Sequence, residues 1–413
     1  MRRDSLLFHP DFRRLWAGDT AGQLGTYVGQ TVIPLLAATV LAATPFEMGL
    51  LTATENAAFL LIGLPAGVWV DRMRRRPLML RADFARAALL ATVPLAWWAG
   101  VLTLAQLIVV ALLVSAATVF FDVSYQSYLP SLVGRAQLVE GNTKLQASQS
   151  TAGVVGPGLG GALTQLLGAA NAVLATGLGF VASGLFLLRI KATEPAPEPR
   201  DGTPLRTSIA QGLKFVFTNP VLRAITICTA TANLANTMFA SMQILFLTRD
   251  LGLGSAAVGA LLTSMGAGGV AGALTAGFWI RRLGQARSIW LIPLFTWPAQ
   301  CLVPLAAPGP RVALVAAGLA IMSYGVIVYN VAQVSYRQTI CPDRLLGRMN
   351  ATVRFVVWGT MPLGGLLGGV AGEALGVRGT LWVASAALVV PMTALLVSPL
   401  RRMRDVPAEP VPS

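Results

Sequence analysis

The chain has 413 residues, 55% of them hydrophobic and only 12% charged, with a mean hydropathy of +0.67. A soluble domain carries about twice that charged fraction, so a soluble catalytic or binding module is excluded as the main body. The formal net charge of +14 would suit a nucleic-acid partner, but the way it is distributed excludes that as well.

A helix crossing a bilayer needs roughly 20 mostly apolar residues. Apolar runs occur at about 12–40, 48–70, 78–99, 104–125, 144–167 and 171–189, then at about 221–248, 256–280, 289–306, 311–336, 348–370 and 379–398. The pattern predicts an all-α membrane protein of twelve transmembrane helices in two pseudo-symmetric six-helix bundles. The N-terminal bundle is expected over 1–190 and the C-terminal bundle over 220–400. Between them, 191–219 reads as a cytoplasmic linker, proline-rich from Ala192 to Ser208, with a short amphipathic helix over Ile209 to Phe217 on the membrane surface. Residues 401–413 form a cytoplasmic tail. The first run is long and studded with polar residues, so it reads as a retained span rather than a cleaved signal.

Sorted by loop, the basic residues alternate. One side holds Arg2, Arg3, Arg13 and Arg14, the Arg72 to Arg81 group, Arg135, Lys144, the central linker, Arg281 to Arg287, Arg337 to Arg354 and Arg401 to Arg404. The other side holds Arg249, Arg311 and Arg378, and Arg86 lies inside a span. This positive-inside bias puts both termini in the cytoplasm of a multi-pass inner-membrane protein. The basic charge therefore reports topology, and no nucleic-acid partner is expected.

The two halves repeat each other. Gly67 to Arg76 (GVWVDRMRRR) aligns with Gly277 to Ala286 (GFWIRRLGQA) at an offset of 210. Asn142 to Gly161 aligns with Asn350 to Gly369 at an offset of 208, superposing Gly156, Gly160 and Gly161 on Gly364, Gly368 and Gly369. Ser127 and Tyr128 likewise match Ser335 and Tyr336. Six-plus-six helices in parallel repeat is one way transporters are built.

Motifs for other chemistry do not emerge. Cys228, Cys301 and Cys341 are far apart, and His9 is the single histidine, so neither a disulfide framework nor a metal site is expected. There is no Gly-x-x-x-x-Gly-Lys loop for ATP and no plausible serine–histidine pair. The chain is not expected to be an enzyme or to carry a cofactor.

The segment Gly67-x-x-x-Asp71-Arg72-x-Arg74-Arg75-Arg76 resembles the best-known signature of the major facilitator superfamily, with Arg74 where that signature usually has glycine. Gly153-x-x-Gly156-Pro157-x-x-Gly160-Gly161 resembles the motif associated with its antiporters. Phe8 to Gly18, Phe120 to Val133 and Gly212 to Arg223 are similar to the branch containing enterobactin-exporter and macrolide-efflux proteins. The resemblance covers essentially the whole chain. It implies proton-coupled export of a small hydrophobic or amphiphilic compound by alternating access, as a monomer in the bilayer. Members of the branch often carry acidic residues where this chain has Thr26 and Thr176, so a mechanism relying on them does not transfer. Proton-coupled uptake, or a membrane sensor or scaffold that no longer transports, are the alternatives.

Polar residues on single helix faces mark a wet pathway, since such stripes are costly against lipid. Asp19, Gln23, Thr26, Tyr27 and Gln30 line one face of helix 1; Ser115, Thr118, Asp122 and Tyr125 recur on helix 4. Asn233, Asn236 and Gln243 do so on helix 7, and Ser323, Asn330, Gln333 and Arg337 on helix 10. The resemblance implies that these four helices line the central pathway. Interhelical hydrogen bonding without cargo contact is the plainer reading for any one of them.

Among the acidic residues in spans, Asp19 and Glu55 are the candidates for proton coupling, because a carboxyl group shielded from water can take up and release a proton as its access changes. Asp83 and Arg86, three residues apart, read as a structural pair. Gly67, Asp71, Arg72, Arg75 and Asp122 are the candidates for a cytoplasmic gate, with Asp71 interacting with the N-terminal end of helix 11 and Arg75 with Asp122.

Overall fold

The computed structural model describes residues 6–134, 137–192, 194 and 205–405. Most of the proline-rich linker and of the tail lie outside the described residues. Every regular element among the described residues is helical. They are α1 (Pro10–Thr39), α2 (Pro45–Asp71), α3 (Arg75–Trp98), α4 (Leu104–Val133), α5 (Leu138–Leu167), α6 (Ala169–Leu188), α7 (Leu205–Thr218), α8 (Pro220–Leu245), α9 (Ser255–Leu283), α10 (Gln285–Thr296), α11 (Ala313–Ile340), α12 (Asp343–Ala387) and α13 (Val389–Val397). Twelve spans result. The ninth begins in α10 and continues through a 3₁₀ segment, Trp297–Leu302. The last two are the arms of α12, broken at Gly376 (φ 72°, ψ 167°), with the second arm running into α13.

Five helical stretches have the length and apolarity to cross a membrane on those measures alone: Leu104–Val133, Ala169–Leu188, Ser255–Leu283, Pro310–Ile340 and Arg348–Val397. The remaining spans include α1, which carries Asp19, Gln23 and Gln30, and α3, which carries Asp83 and Arg86. The predicted surface helix over 209–217 is longer than expected, as α7. It meets the following helix at 103°. The corner is built by Asn219 and Pro220. The Asn219 side-chain oxygen accepts the N–H groups of Val221 and Leu222 at 3.0 and 3.1 Å, capping α8, while proline occupies the first helical position, where no donor is needed.

The chain forms two compact units. One gathers Met1–Thr44, Thr54–Pro199 and Leu253–Thr263; the other gathers Pro45–Ala53, Arg200–Gly252 and Ser264–Ser413. Relative to boundaries drawn from the sequence, the first turns of α2 and α9 are exchanged. Glycine contacts account for this. A Cβ on Gly49 would meet the backbone of Gly365 and Gly369 in α12, and one on Gly259 would meet Pro157 and Gly161 in α5.

In the first unit, α1 packs against α5 and α6. Gly18, Gly22, Gly25 and Gly29 form a smooth strip that lets the α6 backbone approach. A Cβ on Gly25 would lie 2.9 Å from the Thr176 carbonyl oxygen, and one on Gly179 would lie 2.8 Å from that of Ala21. One end of this unit is stitched by side chains that bond backbone groups. Asp11 accepts the N–H groups of Lys191 and Ala192 at 3.1 and 2.9 Å and pairs with Arg14 at 2.6 Å. Partial burial opposes ionisation of the Asp11 carboxyl, yet these donors hold it below the usual carboxylate range. Glu194 accepts the N–H groups of Arg75 and Arg76, which open α3, at 2.6 and 3.1 Å. The Arg76 guanidinium in turn donates to the carbonyls of Leu187 and Leu188 at the end of α6, at 3.1 and 2.9 Å.

In the second unit, Gly364 and Gly368 of α12 close on Leu234, Thr237, Met238 and Ser241 of α8. Gly268 and Gly272 of α9 close on Ala320 and Tyr324 of α11. The core gathers Trp297, Tyr329 and Tyr336 with aliphatic side chains of α8, α10 and α12.

The internal repeat reappears in the backbone. Gly168 joins α5 to α6 with φ 79° and ψ 151°, and Gly376, 208 residues later, breaks α12 with nearly the same angles. The equivalent tyrosines Tyr128 and Tyr336 are both buried.

Replacing Gly25 by valine should lower stability by about 1–3 kcal/mol through overpacking of the α1–α6 seam, read as a lower unfolding temperature in detergent. Gly177→Ala serves as control, because a Cβ there would make an ordinary 3.7 Å contact and should leave that temperature unchanged.

Candidate functional site

Most of the charged side chains inside the spans of the first unit lie near one another on α1, α3 and α4. Arg86 and Asp83 of α3 are 3% and 0% exposed and joined by a hydrogen-bonded ion pair. The spacing of three on a helix makes the pair possible, and the surroundings confine it. The Arg86 guanidinium also donates to Thr118 Oγ1 of α4 at 3.4 Å. It lies 4.5 Å from the Phe121 ring and 4.1 Å from the Phe180 ring, which clamp the cation between π faces. Asp122 lies close enough to act on the charge of Arg86.

Asp19 of α1 is 5% exposed. It sits beside Gln23 on its own helix and Tyr125 on α4, within electrostatic reach of both Asp122 and Asp83. Three carboxyl groups are thus linked electrostatically, two of them, Asp83 and Asp122, acting on the single guanidinium of Arg86. Ionisation of all three would leave the cluster with an excess negative charge that lipid cannot solvate. The sequence pattern placed Asp122 in a gate beside Arg75. Asp122 lies within electrostatic reach of Arg86, Asp19 and Tyr125, and the Arg75 backbone N–H donates to Glu194.

Glu55 of α2 stands apart from the cluster. Its backbone carbonyl accepts the Ser115 hydroxyl at 2.7 Å, and no basic side chain pairs with its carboxyl group among the described residues. Arg72 is exposed at the end of α2. Gly67 and Asp71 belong to α2, but their side chains lie outside the described residues.

The α5 motif packs on the polar face of α1. The Tyr27 side chain fills the hollow left by Gly153 and Gly156: a Cβ on Gly153 would lie 3.4 Å from the ring, and one on Gly156 would collide with Tyr27 itself. Gly160 admits the backbone of Val28, and Gly161 that of Ser255 and Gly259. Pro157, between them, removes a helix hydrogen bond at the point of closest approach. Gln30, two turns beyond Gln23, is exposed.

In the second unit the polar residues of α8 and α11 behave unequally. Asn233 and Asn236 are partly buried. Gln243 is buried with its amide nitrogen lacking a partner. On α11, the Gln333 amide donates to Asn330 Oδ1 at 3.3 Å, and its own oxygen is without a partner. A polar contact missed by sequence reasoning ties the two helices: the hydroxyls of Thr229 and Tyr329 lie 2.7 Å apart. The ring cage around Arg86 was missed as well, because Phe121 and Phe180 look like ordinary core residues in an apolar run. Glu194, Asp11 and Glu140, which accepts the Leu6 N–H at 3.2 Å, could have been found as isolated acids among basic loops.

A family model described as transmembrane secretion effector (MFS_3) matches residues 5–412. The chain is 27% identical over 432 aligned positions to the enterobactin exporter EntS of Shigella boydii, covering 97% of this chain and 95% of that one. It is 25% identical to the multidrug efflux pump Tap of Mycolicibacterium fortuitum, covering 84% and 86%. Among solved structures it is similar in fold to a bacterial homologue of the iron transporter ferroportin (TM-score 0.77, 14% identity, 94% of this chain and 98% of that one). It is similar also to the nucleoside transporter NupG (TM-score 0.74, 12% identity, 95% and 99%).

Arg86→Met should cost about 3–5 kcal/mol, because it strands Asp83 as an uncompensated buried charge. The double variant Arg86→Met/Asp83→Leu should recover more than half of that loss. Thermal unfolding of the purified variants in detergent measures both.

Proposed function

Because the chain belongs to the transmembrane secretion effector family of the major facilitator superfamily, we propose that it is a secondary exporter that moves a small hydrophobic or amphiphilic compound out of the cell in exchange for protons. The exporters among its relatives support the direction and the kind of cargo. The observation that carries proton coupling is the buried Asp19, within electrostatic reach of Asp83 and Asp122, whose shared cation is Arg86. One cation cannot neutralise three carboxylates where water is scarce, so neutrality requires two of the three to hold protons, and Asp19 is the member on the polar face of α1.

In this reading Asp19 takes up a proton when its surroundings open to one side and releases it when they open to the other, and cargo binding competes with the protonated state. Gln23, Tyr27, Gln30 and Thr118 offer hydrogen bonds to cargo in the first unit. Asn233, Asn236, Gln243, Asn330 and Gln333 do so in the second. Tyr27 is the residue through which the α5 glycines and Pro157 would feel cargo, since its side chain fills their hollow. Glu55, without a basic partner among the described residues, is a second proton site. The bundles are taken as 1–190 and 220–400. The loop charge bias supports an inner-membrane location with cytoplasmic termini, and the protein is taken to act as a monomer.

The test is transport in proteoliposomes with an imposed pH gradient, using cationic, neutral and anionic amphiphiles as probes, ethidium, macrolides and 11-(dansylamino)undecanoic acid among them. Asp19→Asn should lose at least about tenfold of the gradient-driven flux while exchange without a gradient persists, as expected when a group serves the proton alone. Glu55→Gln should slow the driven flux less. Flux in the unmodified protein that ignores the gradient would defeat the coupling.

A further inference from the structure

Arg86 in the first unit and Arg337 in the second differ in how fully their guanidinium groups are partnered. Arg86 is answered from four sides by Asp83, Thr118, Phe121 and Phe180. Arg337, near the end of α11, is partly buried; its Nε, like that of Arg86, has no hydrogen-bond partner, and among the described residues its guanidinium makes no ion pair or ring contact. No carboxylate pairs with it among the described residues. Other acidic side chains of this unit are engaged elsewhere: Asp250 with Arg378 at 3.8 Å, Glu373 with the Phe46 N–H at 3.1 Å, and Asp405 with Arg404 at 3.8 Å.

Helical side chains lean toward the helix N-terminus. A long side chain at 337 therefore runs back along α11 into the span rather than toward its end. Tyr329, two turns deeper, lies within electrostatic reach of it. On the way lies Gln333, buried, with an unfilled side-chain oxygen. An unanswered guanidinium directed inward, one turn from an unfilled amide, is expensive unless something else neutralises it for part of the working cycle.

We propose that Arg337 is a specificity residue that binds an anionic group of the cargo, such as a carboxylate or acidic phenolate, with Gln333 as its neighbour in the contact. The proposal rests on the export reading only for the word cargo; it narrows the substrate class to compounds bearing a negative charge. A planar guanidinium suits a two-oxygen anion because it offers paired donors in a fixed geometry.

Binding to purified protein in detergent tests this, with 11-(dansylamino)undecanoic acid and its methyl ester as the fluorescent pair. The unmodified protein and Arg337→Lys should bind the acid at least about tenfold more tightly than the ester, the difference a charge-assisted hydrogen bond makes. Arg337→Gln should bind both alike, with ester affinity unchanged, which also shows that it is folded. The Asp343 side chain lies outside the described residues, so Asp343→Asn is included and should leave the preference as it was. Three results overturn the proposal. One is no preference for the acid in the unmodified protein, including no binding of either probe. Another is equal loss of both probes in Arg337→Gln and Arg337→Lys. The third is a preference that emerges only in Asp343→Asn. The titration uses no gradient, so its failure leaves gradient-driven export standing, and failure of driven export leaves the titration standing.

Discussion

A bilayer interior offers no water to solvate a charge, so every ionised group inside it has to be answered by protein. The arrangement of α1, α3, α4 and α6 in the first unit follows from that constraint. Arg86 fixes the rotation of α3, since only one face can present it to Thr118 of α4 and to the two phenyl rings of α4 and α6. Asp19 fixes the rotation of α1 by the same logic, and α4 is turned so that Asp122 and Tyr125 share the same interior. The hydrophobic effect cannot do this work between helices in lipid, where an apolar side chain is as comfortable outside as in. Charge and hydrogen bonding give the bundle its orientation.

Small residues then decide how closely the oriented helices approach. In the first unit the strip Gly18 to Gly29 receives α6, and in the second Gly364 and Gly368 receive α8. The close packing replaces the missing hydrophobic drive with van der Waals contact. The polar face of α1 and the glycine face of α5 also meet, through Tyr27. Any change in how Tyr27 is engaged is therefore transmitted straight to the proline-bearing stretch of α5.

Much of the architecture was legible in the residues themselves. Spans of sufficient length, loops of alternating charge and a glycine pattern repeated at 208 residues point to one membrane fold without coordinates, because each is dictated by lipid thickness, topology or backbone contact. The ninth span was harder, since Pro293 and Pro298 disturb its helix and the structure resolves it into α10 and a 3₁₀ segment. The nearness of Asp19 to Asp83 and Asp122, and of Asp122 to Arg86, was not legible. Asp83 and Arg86 are neighbours on one helix and could be paired by spacing, but nothing in a linear pattern says that residues on α1 and α4 converge on them. The same holds for Phe180, whose role over the guanidinium depends on a contact between α3 and α6 that apolar sequence cannot encode uniquely. The exchange of the first turns of α2 and α9 between compact units was also hidden, because it depends on glycine–glycine approach between distant segments.

The single-residue joints at Gly168 and Gly376 have a practical corollary. Each sits at a left-handed φ that other residues resist, with open space where a side chain would be. Neither leaves slack between the helices it connects, so an epitope tag, protease site or reporter sequence spliced there would force the flanking helices apart. The stretches at 99–103 and 251–254, which are longer and non-helical, are the better places to attach a label.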